Sequence, residues 1–178
     1  MIRVKYFLLL LIIIAGGCVN KNANDLQRQT EPEISEQEDG SIVLDLEKAY
    51  LLQDSLHPDM NTAEWLFRVK SKGRYELWLS SYTRDTMDLH YESPVIINFG
   101  QKRIKAKPIG NEIILDTPGT GNDYYRADSR LGSLYIDSPG DYSIQIVSAK
   151  VRPCEIISER TGLRHTELRS LILKPMTE

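Results

Sequence analysis

Only two cysteines occur in the 178 residues of this chain, Cys18 and Cys154, so no framework of disulfides can stand in for a hydrophobic core. Histidine is nearly as sparse. His57, His90 and His165 lie far apart, and no HxH, HExxH or CxxC spacing gathers ligands for zinc. No G-x-S-x-G elbow presents a serine nucleophile. Gly119-Thr120-Gly121 is not followed by Lys-Ser/Thr at the head of a helix, which excludes a phosphate loop. The paired acids Asp45 and Glu47 alternate along a predicted strand, the pattern of surface or metal-facing carboxylates rather than of glycoside chemistry. Long apolar runs are missing too. The stretch Tyr6 to Gly17 is 12 residues, against the roughly 20 that a membrane-crossing helix needs. Net charge is −3, and beyond residue 40 the two signs nearly balance, so there is no nucleic-acid footprint.

What is present begins at the first residue. Arg3 and Lys5 precede the apolar run Tyr6 to Ile14, and Ala15-Gly16-Gly17 close it with small side chains directly before Cys18. A basic start, a short apolar stretch and a small-residue cleavage site make a secretory signal peptide over residues 1–17. With its cysteine the segment resembles the lipobox of bacterial lipoproteins, although Ala15 stands where Leu or Val is more usual. The resemblance implies that Cys18 carries acyl chains such as palmitate and becomes the first residue of the mature protein. Acyl chains contribute ~0.8 kcal/mol per buried methylene, and more than one is needed for stable anchoring. The expected location is therefore the bacterial cell envelope, lipid-anchored at the outer membrane, with the periplasmic or surface side left open. Cys154 then has no partner in the chain and reads as a buried thiol.

Residues 18–40 read as the lipidated cysteine followed by a flexible acidic tether. Asp25, Glu31, Glu33, Glu36, Glu38 and Asp39 face only Lys21 and Arg28, and Leu26 and Ile34 are nearly the only apolar side chains. Such a segment buries too little surface to offset its ordering entropy, and 22 extended residues reach ~75 Å.

From Ser41 to Glu178 the texture changes to short β-type runs separated by turn residues. Ile42–Leu46, Trp65–Val69, Arg74–Leu79, Val95–Phe99, Arg103–Ala106, Glu112–Leu115, Ser133–Ile136, Tyr142–Ile146 and Leu168–Leu173 are the predicted strands. Gly100-Gln101 is a predicted hairpin tip, and a short helix is expected around 154–161. This pattern predicts one all-β domain, an antiparallel β-sandwich. Alternation places Trp65, Phe67 and Val69 on one face, Tyr75, Leu77 and Leu79 on another, and Tyr142, Ile144 and Ile146 on a third. Trp78 breaks the rule as an aromatic on an otherwise polar face, which it shares with Tyr82. Flat aromatic rings stack on sugars, so Trp78 and Tyr82, with Tyr124 and Tyr125 in a turn-rich segment, are the candidate ligand-binding residues. Asn122, Asp123, Arg126 and Asp128 offer hydrogen-bonding groups nearby, although such Asn, Asp and Gly clusters read first as ordinary turn chemistry.

The run from Trp65 through Gly73 to Leu79 resembles a recurring element of jelly-roll carbohydrate-binding modules, a Trp strand followed by a Gly turn and a G-x-Y-x-L-x-L strand. Thr120–Arg126, Leu131–Ile136, Pro139–Ile144 and Leu171–Pro175 follow in the same order. Over most of residues 41–176 the chain is similar to the C-terminal, non-catalytic sandwich of exported fucosidases and related glycan-processing enzymes. That likeness implies a jelly roll, glycan binding and no catalytic residues. Calcium-binding relatives carry a Glu in the first strand and an acid in the last. Glu47 fills the first place, whereas Arg169 and Ser170 occupy the last, which leaves a structural calcium at Glu47 open and no other cofactor implied. The expected function is glycan binding by a membrane-tethered lipoprotein. The alternative is a structural or protein-interaction lipoprotein that docks on an envelope complex.

Replacing Cys18 by Ser is expected to abolish incorporation of a labelled fatty acid in growing bacteria and to move the chain from the membrane pellet to the soluble fraction. Continued labelling of the variant would exclude this acylation site.

Overall fold

The computed structural model describes residues 34–115, 124–152 and 166–176. The signal segment, Cys18, Cys154, Asn122, Asp123 and the helix expected over 154–161 lie outside the described residues. The strands are β1 (Ile34–Ser35), β2 (Ile42–Asp45), β3 (Tyr50–Leu52), β4 (Thr62–Val69), β5 (Gly73–Thr83), β6 (Val95–Phe99), β7 (Lys102–Ala106), β8 (Glu112–Ile114), β9 (Tyr125–Ile136), β10 (Gly140–Val147) and β11 (Thr166–Pro175). Sheet I runs β1-β4-β10-β6-β7 with β3 also beside β4, and sheet II runs β2-β11-β5-β9-β8. The chain crosses between sheets after β1, β2, β4, β5, β7, β9 and β10, and the result is an antiparallel β-sandwich of jelly-roll type.

The core lies where alternation predicts it. Trp65 and Phe67 of β4, Ile97 of β6 and Ile144 and Ile146 of β10 pack from sheet I against Leu77 and Leu79 of β5, Leu134 and Ile136 of β9, and Leu171 and Leu173 of β11. The Trp65 indole N–H spans the two layers and donates to the Asp45 carbonyl at 2.7 Å. Two bulges adjust the faces of sheet II, one adding Leu131 to β9 and the other Arg169 to β11. Next to the first bulge, Gly132 adopts φ 145°, and a Cβ there would lie 3.5 Å from Ile104 of β7 in the opposite sheet.

Three features depart from the sequence reading. The domain starts before Ser41, because Ile34 is buried and pairs in parallel with Phe67. Behind it the Glu36 carboxylate, also buried, accepts from the Lys70 amide at 2.7 Å and from the Tyr75 hydroxyl at 2.9 Å. Burial and this neighbouring carboxylate push the Tyr75 hydroxyl well above its ordinary pKa. Residues 34–36, expected to belong to the tether, are thus part of the fold. A three-residue β3 and the first half of β9 were not visible as strands, since Arg126, Asp128, Ser129 and Arg130 give β9 a polar composition that only its partners make sense of.

Glu36→Ala strands the Lys70 amide and leaves the Tyr75 hydroxyl only the Ser71 carbonyl as acceptor, so unfolding free energy is expected to fall by about 1–3 kcal/mol. Exposed Glu38→Ala, measured in the same denaturant titration, is expected to change it by less than ~0.5 kcal/mol.

Candidate functional site

The aromatic residues singled out in the sequence belong to the outer face of sheet II and the loop end beside it. Trp78 projects outward from the middle of β5, opposite Ile172 of β11 and Arg130 of β9. It is only 8% exposed. The Lys174 ammonium sits 4.3 Å from its ring centroid, and its indole N–H donates to Glu76 at 3.1 Å. Glu76 in turn pairs with Arg130. Tyr82 lies two strand repeats further along the same face, beyond Ser80, and the Arg169 guanidinium covers its ring at 4.9 Å. Arg84 covers buried Tyr124 at 4.7 Å. Tyr125 opens β9 opposite Thr83 and is 39% exposed.

Charges on this face are matched from within. Arg126 grips Asp128 with both ends of its guanidinium, at 2.9 and 2.7 Å, and the Asp128 side chain is 1% exposed. That fork, more than any other neighbour, raises the pKa of Arg126. Glu47 lies in the 3-10 turn Leu46–Lys48 after β2 rather than in a strand, and its carboxylate meets Arg169 at 3.2 Å. Among the described residues no group of three or more His, Cys, Asp or Glu side chains could hold a metal ion. The extra residue in β11 therefore brings a cation to Glu47 and Tyr82 together. Arg126 and Asp128, suggested by the sequence as ligand-binding groups, spend their hydrogen bonds on each other.

The outer face of sheet I is built in the opposite way. Register aligns Tyr50 of β3, Glu64 of β4, Gln145 of β10, Asn98 of β6 and Arg103 of β7 in one row across the sheet. At about 4.8 Å per strand the row spans about 19 Å. All five side chains are at least partly exposed, Tyr50 to 49%. None of Glu64, Gln145, Asn98 or Arg103 has a side-chain hydrogen bond or ion pair with a described residue. A second row, Leu52, Thr62, Val147, Ile96 and Lys105, runs beside it and supplies an apolar ledge. Amides that both donate and accept, a carboxylate that accepts and a guanidinium that donates can meet the hydroxyls of a sugar from either direction. The partly exposed Tyr50 ring offers a stacking surface at one end.

The sequence did not reveal this row. Each of its members is an ordinary polar residue on the outer side of an alternating strand, and only the pairing of β4 with β10 and of β10 with β6 brings them into line.

No protein-family model and no curated protein matches the chain. Solved structures do. The chain is similar to an α-L-fucosidase from Vibrio sp. strain EJY3, with 23% identity and a TM-score of 0.63 over 82% of this chain and 24% of that one. It is also similar to a GH26-CBM35 β-(1,4)-mannanase from Podospora anserina, with 12% identity and a TM-score of 0.45 over 79% of this chain and 28% of that one. A CBM35 module from Cellvibrio japonicus aligns with 9% identity and a TM-score of 0.38 over 77% of this chain and 94% of that one. The chain thus spans about a quarter of the length of the fucosidase, and the likeness is one of fold.

Lys174→Ala removes the cation over Trp78. Acrylamide quenching of tryptophan fluorescence, weak in the parent because Trp65 and Trp78 are both buried, is expected to rise clearly, with a stability loss of about 0.5–2 kcal/mol. Unchanged quenching would mean that Lys174 does not shield the ring.

Proposed function

We propose that this chain is a non-catalytic glycan-binding module, held at the bacterial envelope by lipid on Cys18. The observation that carries the reading is the row Tyr50-Glu64-Gln145-Asn98-Arg103 on sheet I, whose side chains have no partner among the described residues. Folded chains satisfy polar side chains internally or leave them to solvent in scattered places. Here hydrogen-bonding groups of complementary kinds line up across five strands beside an apolar ledge, as recognition of an extended polar polymer requires. The ligand lies across the strands and exchanges hydroxyl–water bonds for bonds to Glu64, Gln145 and Asn98, while Tyr50 stacks on a terminal ring. The resemblance to the fucosidase supports the reading through fold only. Sheet II, whose rings are covered by cations, serves as the closed back of the module. Docking on an envelope protein would use the same open face through Leu52, Val147 and Ile96, and it predicts no glycan affinity.

A glycan-array screen of the full-length chain tests the proposal. Binding to a defined sugar class is expected, and Asn98→Ala and Gln145→Ala should each weaken it by about 2- to 10-fold, the scale of one or two hydrogen bonds. Trp78→Phe should leave it intact. Binding that ignores the Asn98 and Gln145 changes but is lost with Trp78 would transfer the site to sheet II, and silence across the array from a folded sample would favour protein docking.

A further inference from the structure

We infer that the ligand of this face carries carboxylates, as uronate residues, and that Arg103 and Lys105 of β7 read them. The inference rests on the glycan reading above and names its ligand class. The segment Lys102-Arg103-Ile104-Lys105-Ala106-Lys107 is cationic at every position except Ile104 and Ala106, whereas the rest of residues 41–178 carries a net charge of −5. Ile104 turns inward against Gly132, and Lys102 donates across the sandwich to the Ser133 carbonyl at 2.9 Å. Arg103 and Lys105 turn outward, beside Asn98 and Ile96 respectively.

Lysine on an edge strand commonly guards against pairing with another sheet, and Lys105 and Lys107 serve that purpose. It does not account for a guanidinium at the end of a row of amides. Arg68, Arg126, Arg130 and Arg169 on the outer faces pair with Asp141, Asp128, Glu76 and Glu47, whereas Arg74 of β5 makes no ion pair with a described residue and has no row of amides beside it. Arg103 and Lys105 have no ion pair with a described residue. A planar fork of donors next to the Asn98 carboxamide fits a carboxylate with two parallel hydrogen bonds, and the neighbouring ammonium adds charge without demanding geometry. The row is also polarised. Glu64 stands three strands away, about 14 Å, and repels an anion placed over β4. A uronate therefore sits over β6 and β7 and an uncharged part of the polymer over β4, which orients the chain along the row.

The test compares polygalacturonate, alginate and hyaluronan with their methyl esters, in which each carboxylate has lost its charge, on the full-length protein at fixed ionic strength. Hyaluronan, whose uronates alternate with uncharged residues, is expected to bind about tenfold more tightly than its ester, the scale of one charge-assisted hydrogen bond. It should also bind more tightly than polygalacturonate and alginate, which bring a carboxylate to Glu64. Arg103→Gln and Lys105→Gln should lower its affinity to that of the ester. Lys72→Gln, the same charge change in the exposed turn before β5, should not. Thermal unfolding checks that each variant is folded. Equal affinity for acid and ester, preference for a neutral or sulfated polymer, or equal loss with Lys72→Gln would overturn the uronate inference while leaving glycan binding standing. Absence of binding to any glycan, charged or neutral, would remove both.

Discussion

Burial of Ile144 and Ile146 holds β10 in register between β4 and β6, and the arrangement of sheet I depends on it. Both side chains are sealed between the sheets, so sliding β10 by one residue would drive Ser143, Gln145 and Val147 into the core and bring two isoleucines to the surface. The penalty for that exchange, about 1.5–3 kcal/mol for each large apolar side chain returned to water, is what keeps Gln145 between Glu64 and Asn98. Among the described residues, the side chains of the polar row make no bonds that would keep it straight. Its alignment is inherited from the apolar residues on the reverse side of the same strands.

The two outer faces of the sandwich illustrate alternative ways of treating polar and aromatic groups. On sheet II, aromatic rings lie beneath Lys174, Arg169 and Arg84, and carboxylates are matched by Arg126, Arg130 and Arg169. A ligand would have to displace those cations before reaching the rings. On sheet I, Arg68 and Asp141 pair at one end, while Glu64, Gln145, Asn98 and Arg103 have no partner among the described residues. Aromatic content alone therefore points to the less available surface, because a ring's value for stacking depends on whether its face is already occupied.

Much of the fold was legible in the sequence, and the reason is the regular alternation of β4, β5 and β10, whose alternate apolar residues fill the core as read. The strand β9 was only half legible, since Arg126 and Asp128 look like loop chemistry until each is seen to satisfy the other. Ile34 and Glu36 sit in a stretch whose composition is that of a disordered linker, and a single buried isoleucine and a single buried acid do not alter a compositional average. The row on sheet I was illegible for a more general reason. It is assembled from residues 50, 64, 98, 103 and 145, and strand order, which places β10 between β4 and β6, is not written in any local pattern.

The junction at β1 has a mechanical consequence. Any tension arriving along the chain upstream of Ile34 first meets two residue pairs with β4, at Phe67 and Arg68, and then the Glu36 carboxylate fastened to the turn that joins β4 to β5. Load is thus delivered to one edge of sheet I and to a turn at the end of the sandwich. Arg103 and Lys105 occupy the opposite edge, with β10 and β6 in between. A module pulled from its amino-terminal side would strain its attachment while the far strands kept their spacing.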